Sequence, residues 1–190
     1  MRASLTGALH PTFLDATAAG DAPDLYGPFW IATTLVFLSA VAGNAAAWAS
    51  WRRTHKGAAD APAWYYDVDK VGFAAALFYG YVGGVGVAVW ATLRWLLASP
   101  LPLPVVWCVY GYSLTPFLPV APLAALPYEG ARWGLIVGAA AVSGAFLLLN
   151  LRPAVFGGGA ARAAPAWTAM AVAHAGVAVA LKLSIFHYRK

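Results

Sequence analysis

The sequence predicts an all-α polytopic membrane protein, a bundle of five transmembrane helices whose third helix is kinked by prolines. Three observations support this prediction. Of the 190 residues, 62% are hydrophobic and 10% are charged, whereas a soluble domain carries about 25% charged residues. The apolar residues form five runs, each close to the roughly 20 residues that a helix needs to cross a bilayer. The third run contains Pro116, Pro119 and Pro122, which remove backbone hydrogen bonds and bend a helix.

The five runs follow one another with short polar connections. The predicted spans cover residues 27–49, 71–93, 105–126, 133–151 and 167–186. Span one begins at Pro28, which suits the first helical turn, and Asp24 lies just ahead at the positive end of the helix dipole. We expect one membrane domain over residues 24–190, after a short polar tail over residues 1–23 that lacks the features of a cleavable signal peptide.

The charge pattern argues against nucleic acid as a partner. The net charge is +5, but the basic residues are scattered at the ends of apolar runs, where they anchor helices at lipid head groups. The single cysteine, Cys108, excludes an intramolecular disulfide. We expect it to be a small buried apolar residue. The bilayer is therefore the partner that the composition indicates.

Small residues recur at four-residue spacing within the spans, a pattern that lets helices approach closely in lipid. The positions are Ser39, Gly43 and Ala47 in span one, Gly80 and Gly84 in span two, and Gly134 and Gly138 in span four. These faces fit packing within the bundle, and they also fit a surface for a partner membrane protein.

The sequence lacks the common catalytic motifs, namely the HExxH zinc motif, the GxSxG nucleophile elbow and the P-loop. Asp and Glu are absent from all five predicted spans, which argues against proton-coupled pumps and intramembrane aspartyl proteases because both need buried carboxylates. We expect no catalytic residue, no cofactor and no metal site, and a protein that is not an enzyme.

A few polar residues lie inside the predicted spans. His174 is either a functional group, as intramembrane ionisable residues commonly are, or a neutral imidazole bonded to a neighbouring helix. Asn44 is expected to form interhelical hydrogen bonds. Lys182 is expected to extend its ammonium group to the membrane surface. In span three, hydroxyl groups precede the prolines, so this helix either lines a transport path or makes a structural bend.

Two short motifs resemble the hallmarks of the Yip family, the Ypt/Rab-interacting five-span proteins of the early secretory pathway. The first is Asp24-Leu25-Tyr26-Gly27-Pro28 at the start of span one, and the second is Tyr110-Gly111-Tyr112-Ser113-Leu114 in span three. Further similarity lies at Tyr66-Asp67, Lys70-Val71, Trp133, Ser143-Gly144 and His174. The resemblance extends from Asp24 onward and is greatest to the Golgi subgroup.

The resemblance implies a non-enzymatic protein of Golgi membranes that supports vesicle-mediated transport, with ER–Golgi intermediate and endosomal membranes as further locations. It implies prenylated Rab-type small GTPases and other Yip or Yif-type membrane proteins as partners. The residues implied to bind partners are Asp24, Leu25, Tyr26, Gly27, Pro28, Tyr110, Gly111, Tyr112 and Ser113.

The family resemblance and the charge count disagree on orientation. The family implies a cytosolic N-terminus and a lumenal C-terminus. Four basic residues lie on the N-terminal side, namely Arg2, Arg94, Arg152 and Arg162, and eight lie on the other, namely Arg52, Arg53, Lys56, Lys70, Arg132, Lys182, Arg189 and Lys190. The positive-inside rule alone would place the N-terminus outside. We follow the family, whose members carry a longer acidic tail ahead of the first motif than the 23 residues present here.

Two other functions fit the sequence. A transporter or channel for small molecules or lipids would use the broken third span and His174, and a change at His174 would then abolish flux into liposomes. A scaffold that shapes or clusters membrane would need no ligand and would act when reconstituted alone.

Overall fold

The computed structural model describes residues 23–126, 128–157 and 159–185. Within these residues the chain is helical without strands, and five helices are long and apolar enough to cross a membrane. They are Tyr26–Thr54, Asp69–Leu96, Leu103–Leu123, Glu129–Phe156 and Arg162–Ile185, called spans one to five below. Spans one, two and four have 28 or 29 residues, about 42 Å at 1.5 Å per residue. They exceed a hydrocarbon core of about 30 Å and must tilt or extend beyond it.

Span three is the centre of the bundle. In its most apolar window 61% of the residues are buried, against 22% in span two. Span three packs against spans one, two and four, span one packs along span two, and span four packs along span five. The end of span five also contacts the start of span two. The five-helix bundle predicted from the sequence is confirmed.

Span three is bent where the prolines predict a bend. One helix, Leu103–Ser113, ends in a turn, and a second helix, Phe117–Leu123, follows. The carbonyl of Tyr112 accepts a hydrogen bond from the Thr115 hydroxyl at 2.8 Å. The carbonyl of Ser113 accepts one from the hydroxyl of Ser143 in span four. Because these hydroxyls satisfy carbonyls freed at the break, the bend is stable in an apolar environment.

Span two changes its helical winding along its length. It runs as an α-helix over Asp69–Tyr79 and Gly86–Ala91, and as a π-helix over Gly80–Val85 and Thr92–Leu96. A π-helical turn holds more residues than an α-helical turn, so it redirects the side chains that follow and is common at functional sites.

The small-residue faces have different surroundings. A Cβ atom on Gly43 would lie 2.7 Å from the backbone oxygen of Ile185, so span one needs glycine there to accept the end of span five. A Cβ on each of four other glycines would meet no described atom within 4 Å; these are Gly80, Gly84, Gly134 and Gly138. Packing within the bundle is thus confirmed at Gly43. At the other four no neighbouring helix approaches that closely, and a surface for a partner membrane protein stays a prediction there.

Candidate functional site at the junction of spans one and three

The two sequence motifs interlock where the start of span one crosses span three. A Cβ on Gly27 would lie 2.6 Å from Cζ of Tyr112, and a Cβ on Gly111 would lie 2.8 Å from Cα of Pro28. Real Cβ atoms do not approach other atoms this closely, so Gly111 is required against the backbone of Pro28, and a side chain at position 27 would force the Tyr112 ring to move. Two segments more than 80 residues apart in the sequence therefore form one structural unit, which we call the motif junction (residues 24–28 and 110–113).

Asp24 ties the start of span one to span three. Its Oδ1 accepts a hydrogen bond from the backbone N–H of Tyr26 at 2.9 Å, and its Oδ2 accepts one from the Tyr112 hydroxyl at 3.1 Å. The thiol of Cys108 lies 3.5 Å from the Asp24 backbone oxygen. Cys108 is buried, as the sequence predicts. One carboxylate thus joins the first residue of span one to Tyr112 of span three.

The motif junction has a buried part and an exposed part. Pro28, Tyr110, Gly111 and Ser113 are buried, Gly27 and Tyr112 are half-buried, and Asp24 and Leu25 are exposed. The side chain of Tyr26 is 73% exposed.

Beside the exposed part, the Trp30 ring packs edge-on against Tyr26 and Phe29, with ring centroids 6.0 and 5.5 Å apart. Phe29 was not singled out from the sequence, although its place next to Pro28 on an apolar helix was visible. We call Leu25, Tyr26, Phe29 and Trp30 the aromatic rim; all four are exposed.

His174 is held by two other spans in the middle of the bundle. Its Nδ1 lies 2.6 Å from the hydroxyl of Tyr81 in span two, and its Nε2 lies 3.2 Å from the carbonyl of Ala140 in span four. A carbonyl can only accept, so Nε2 carries a proton and a neutral ring accepts from Tyr81 at Nδ1. A Cβ on Gly144 would lie 3.0 Å from the imidazole, so this small residue makes room for the ring. These bonds to neighbouring helices match the second interpretation of the sequence, in which His174 is a neutral imidazole bonded within the bundle.

Tyr81 was missed by sequence reasoning. It lies in the π-helical stretch Gly80–Val85 and is buried against Tyr110, with ring centroids 5.1 Å apart. A tyrosine between glycines in an apolar span was the available signal, but nothing in the sequence paired it with His174.

Asn44 holds the segment ahead of span two. Its Nδ2 donates to the backbone oxygen of Asp67 at 3.0 Å, and its Oδ1 accepts from the Asp67 N–H at 2.8 Å. The expected interhelical bond is not what Asn44 forms: it clamps span one to the non-helical segment ahead of span two, which begins at Asp69. The Lys70 ammonium donates to the Asp67 carboxylate at 2.8 Å and holds the pKa of that carboxyl below its ordinary value.

Lys182 does not extend to the membrane surface. It is 2% exposed, and its ammonium lies 2.6 Å from Oε1 of Glu129 and 5.1 Å from the centre of the Trp133 ring. The expectation from the sequence was wrong because Glu129, at the start of span four, offers a nearer partner than water does. Arg132 is also buried; it lies 3.7 Å from Glu129 and donates to the backbone oxygen of Leu126.

Among residues 23–126, 128–157 and 159–185, no group of three or more His, Cys, Asp or Glu side chains is arranged to hold a metal ion. At the motif junction Asp24 instead bonds to Tyr26 and Tyr112, and in the middle of the bundle His174 bonds to Tyr81. This geometry supports binding and packing roles for the junction.

Comparison with known proteins shows which family has this sequence and architecture. A family model described as the Yip1 domain matches residues 7–182, nearly the whole chain. The chain belongs to the Yip1 domain family. The resemblance drawn from the two motifs is confirmed, and the protein is a multi-pass membrane protein of this family.

Two relatives of this Yip1-domain protein are informative. Protein YIPF1 homolog of Dictyostelium discoideum is 32% identical over 164 residues, which cover 86% of this chain and 45% of the relative. Protein YIP5 of Schizosaccharomyces pombe is 33% identical over 120 residues, which cover 63% of this chain and 45% of the relative. The chain spans about half the length of these curated relatives. No solved structure matches it.

Proposed function

We propose that this Yip1-domain protein is a non-enzymatic component of Golgi and early secretory membranes. It supports vesicle-mediated transport by binding prenylated Rab-type small GTPases and related Yip or Yif-type membrane proteins. The observation that carries the proposal is the motif junction, in which buried residues of both motifs hold Asp24, Leu25 and Tyr26 exposed at one end of the bundle. Membership of the Yip1 domain family supports it further.

The aromatic rim is the proposed contact for the GTPase. Tyrosine and tryptophan are the residues most enriched at the energetic centres of protein interfaces. Tyr26 and Trp30 are exposed while their helix start is fixed by the Asp24 hydrogen bonds. A rigid, exposed aromatic pair binds with little loss of conformational entropy. The buried motif residues Pro28, Gly111 and Ser113 position this surface without touching the partner.

We further propose that the N-terminus, and with it the aromatic rim, lies in the cytosol and that the C-terminus is lumenal, as the family resemblance implies. The membrane domain would comprise residues 24–190, with residues 1–23 as a short polar tail; most of that tail lies outside the described residues. Rab-type GTPases are cytosolic-face proteins, so a lumenal rim could not bind them. Proximity labelling from an N-terminal tag tests this orientation, since lumenal or extracellular neighbours would contradict it.

The contact is tested by recovering prenylated GTPases on the Tyr26→Ala variant. We expect recovery to fall at least tenfold, because tyrosine is enriched among the few interface residues whose truncation costs 2 kcal/mol or more, about thirtyfold in affinity. Tyr65→Ala is the matched control, since Tyr65 is 81% exposed but lies in the loop at the other end of span one. Gly27→Ala is unsuitable because it would strike Tyr112. Equal recovery by Tyr26→Ala and the wild-type protein would refute the rim as the contact.

A further inference from the structure

A groove of about 360 Å³ opens between spans two and five on the side of the bundle facing the lipid. Its walls are small or apolar, and they include Gly84, Ala88, Thr92, Val155, Ala166, Ala169 and Ala173. From Ala166 to Ala173 the groove runs for seven residues of span five, about 10 Å of helix. Its length and its volume of about 360 Å³ suit the upper part of one lipid acyl chain.

Three arginines lie within one helical turn, along the chain, of residues that line one end of this groove, its outer end. Arg94 directly follows the groove residue Leu93, and Arg152 lies one helical turn before the groove residue Val155. Arg162 lies four residues before Ala166, on the same face of span five.

The three arginine side chains are exposed, and none forms an ion pair within the described residues. Glu129 is the only carboxylate after Asp69 in the sequence. It lies at the far end of span four, about 35 Å from Arg152 by helical rise. The outer end of the groove is therefore positively charged and has no acidic counterpart on spans two to five.

The same end has the features of a membrane interface. Trp90 and Trp95 pack together with ring centroids 6.0 Å apart, and Trp167 packs against Phe156 at 5.3 Å. Tryptophan is enriched at the level of lipid head groups. The arginines thus lie at head-group depth, and the groove leads from them toward the middle of the bilayer.

A second groove, between spans four and five, gives an internal contrast. It is lined by Trp133, Ala141 and His174 among others. The buried cations near its end, Lys182 and Arg132, are paired with Glu129. Exposed arginines without an acidic partner among the described residues are thus found beside the first groove and not beside the second.

We propose that the groove between spans two and five binds one anionic phospholipid, with an acyl chain along Ala166 to Ala173 and the head group among Arg94, Arg152 and Arg162. The arginines select a net negative head group, and the small side chains admit the chain. This inference is independent of the GTPase proposal. If the N-terminus is cytosolic, the site lies in the leaflet that carries most anionic lipid.

The head-group part is tested by native mass spectrometry of the purified protein with phosphatidylserine and phosphatidylcholine of identical acyl chains. We expect the wild-type protein to retain phosphatidylserine preferentially. Arg152→Gln combined with Arg162→Gln should lower that preference by up to about 25-fold, about fivefold for each arginine. Arg52→Gln with Arg53→Gln is the matched control, since both residues are exposed at the opposite end of span one.

The acyl-chain part is tested by filling the groove. Ala169→Phe should reduce retention of both lipids, whereas Ala141→Phe, in the second groove, should leave the phosphatidylserine preference intact. If Ala169→Phe does not fold, Ala88→Leu fills the same groove from span two and is interpreted identically. Equal retention of the two lipids by the wild-type protein would overturn the proposal. Equal loss of preference in both arginine pairs, or full retention after the groove is filled, would overturn it as well.

Discussion

Gly111 in the third span lies directly against Pro28 in the first, so that a Cβ on Gly111 would come within 2.8 Å of the Pro28 Cα. Gly111→Ala should therefore force spans one and three apart and lower the stability of the bundle. We expect a loss of about 1–3 kcal/mol, the usual effect of overpacking. Thermal unfolding in detergent measures it.

Gly138→Ala is the control for this prediction, because the new methyl group would meet no described atom within 4 Å. Alanine favours a helix over glycine by about 1 kcal/mol, so this variant should be as stable as the wild-type protein or slightly more so. Equal melting temperatures for the two alanine variants would contradict the close contact between Gly111 and Pro28.

The clamp formed by Asn44 predicts a local opening. Asn44→Ala removes the hydrogen bonds to both backbone groups of Asp67. We expect a loss of about 1–3 kcal/mol and faster proteolysis in the loop over residues 55–68. Asn150→Ala is the comparison, because Asn150 is also buried but its Nδ2 donates to the carbonyl of Phe146 within its own helix. Similar cleavage rates for the two variants would show that Asn44 does not hold this loop in place.

The Glu129–Lys182 pair predicts an unequal response to removing either partner. Glu129→Gln leaves a buried ammonium group without its carboxylate and should destabilise the bundle by about 2 kcal/mol. Lys182→Met replaces the buried charge with an apolar chain of similar length and should be milder. The double variant should lose less stability than the sum of the two single losses, since the Glu129–Lys182 contact is broken only once; it still removes the carboxylate beside Arg132. Additive losses in this double-mutant cycle would argue against the pairing.

Asp67 predicts a small pH dependence. Its folded-state pKa is lowered, chiefly by the hydrogen bond from Lys70, so its contribution is present above the unfolded-state pKa of about 3.9. The contribution is lost as the pH falls through the lower, folded-state value. The Asp67 side chain is 47% exposed, so solvent screens the pair and the effect should stay below about 1 kcal/mol.

The difference in melting temperature between the wild-type protein and Asp67→Asn, followed from pH 7 to pH 2, measures the contribution of the Asp67 carboxylate to stability. The difference should shrink below about pH 4. Asp60→Asn is the control for the loss of one carboxylate, since Asp60 is exposed in the same loop and forms no ion pair within the described residues. A difference in melting temperature that grows in acid would have the opposite trend to the one expected and would contradict a stabilising ion pair between Asp67 and Lys70.

The sequence predicted the spans and the bend well, because both follow from local properties. Hydropathy over about 20 residues marks a span, and proline interrupts a helix wherever it occurs. Thr115 and Ser113 were recognised in advance as hydroxyls next to the break. The family motifs were likewise visible as short strings, although their mutual contact was not.

The pairings between spans could not be predicted because they depend on helix rotation, which hydropathy does not encode. Tyr81, which contacts His174, lies within a π-helical turn, and that turn changes the direction in which the side chains of span two point. Lys182 was assigned to the surface because its partner Glu129 lies 53 residues earlier. The open faces at Gly134 and Gly138 arise for the same reason, since small residues permit contact without specifying a neighbour.

The hydroxyl of Ser143 has a consequence for biosynthesis. It satisfies the carbonyl of Ser113 at the break in span three, yet it lies 30 residues later in the chain. When span three leaves the ribosome, this acceptor has no partner, and an unpaired carbonyl in hydrocarbon is unfavourable by several kcal/mol. Spans three and four are therefore expected to move from the translocon into lipid together, as a helical hairpin.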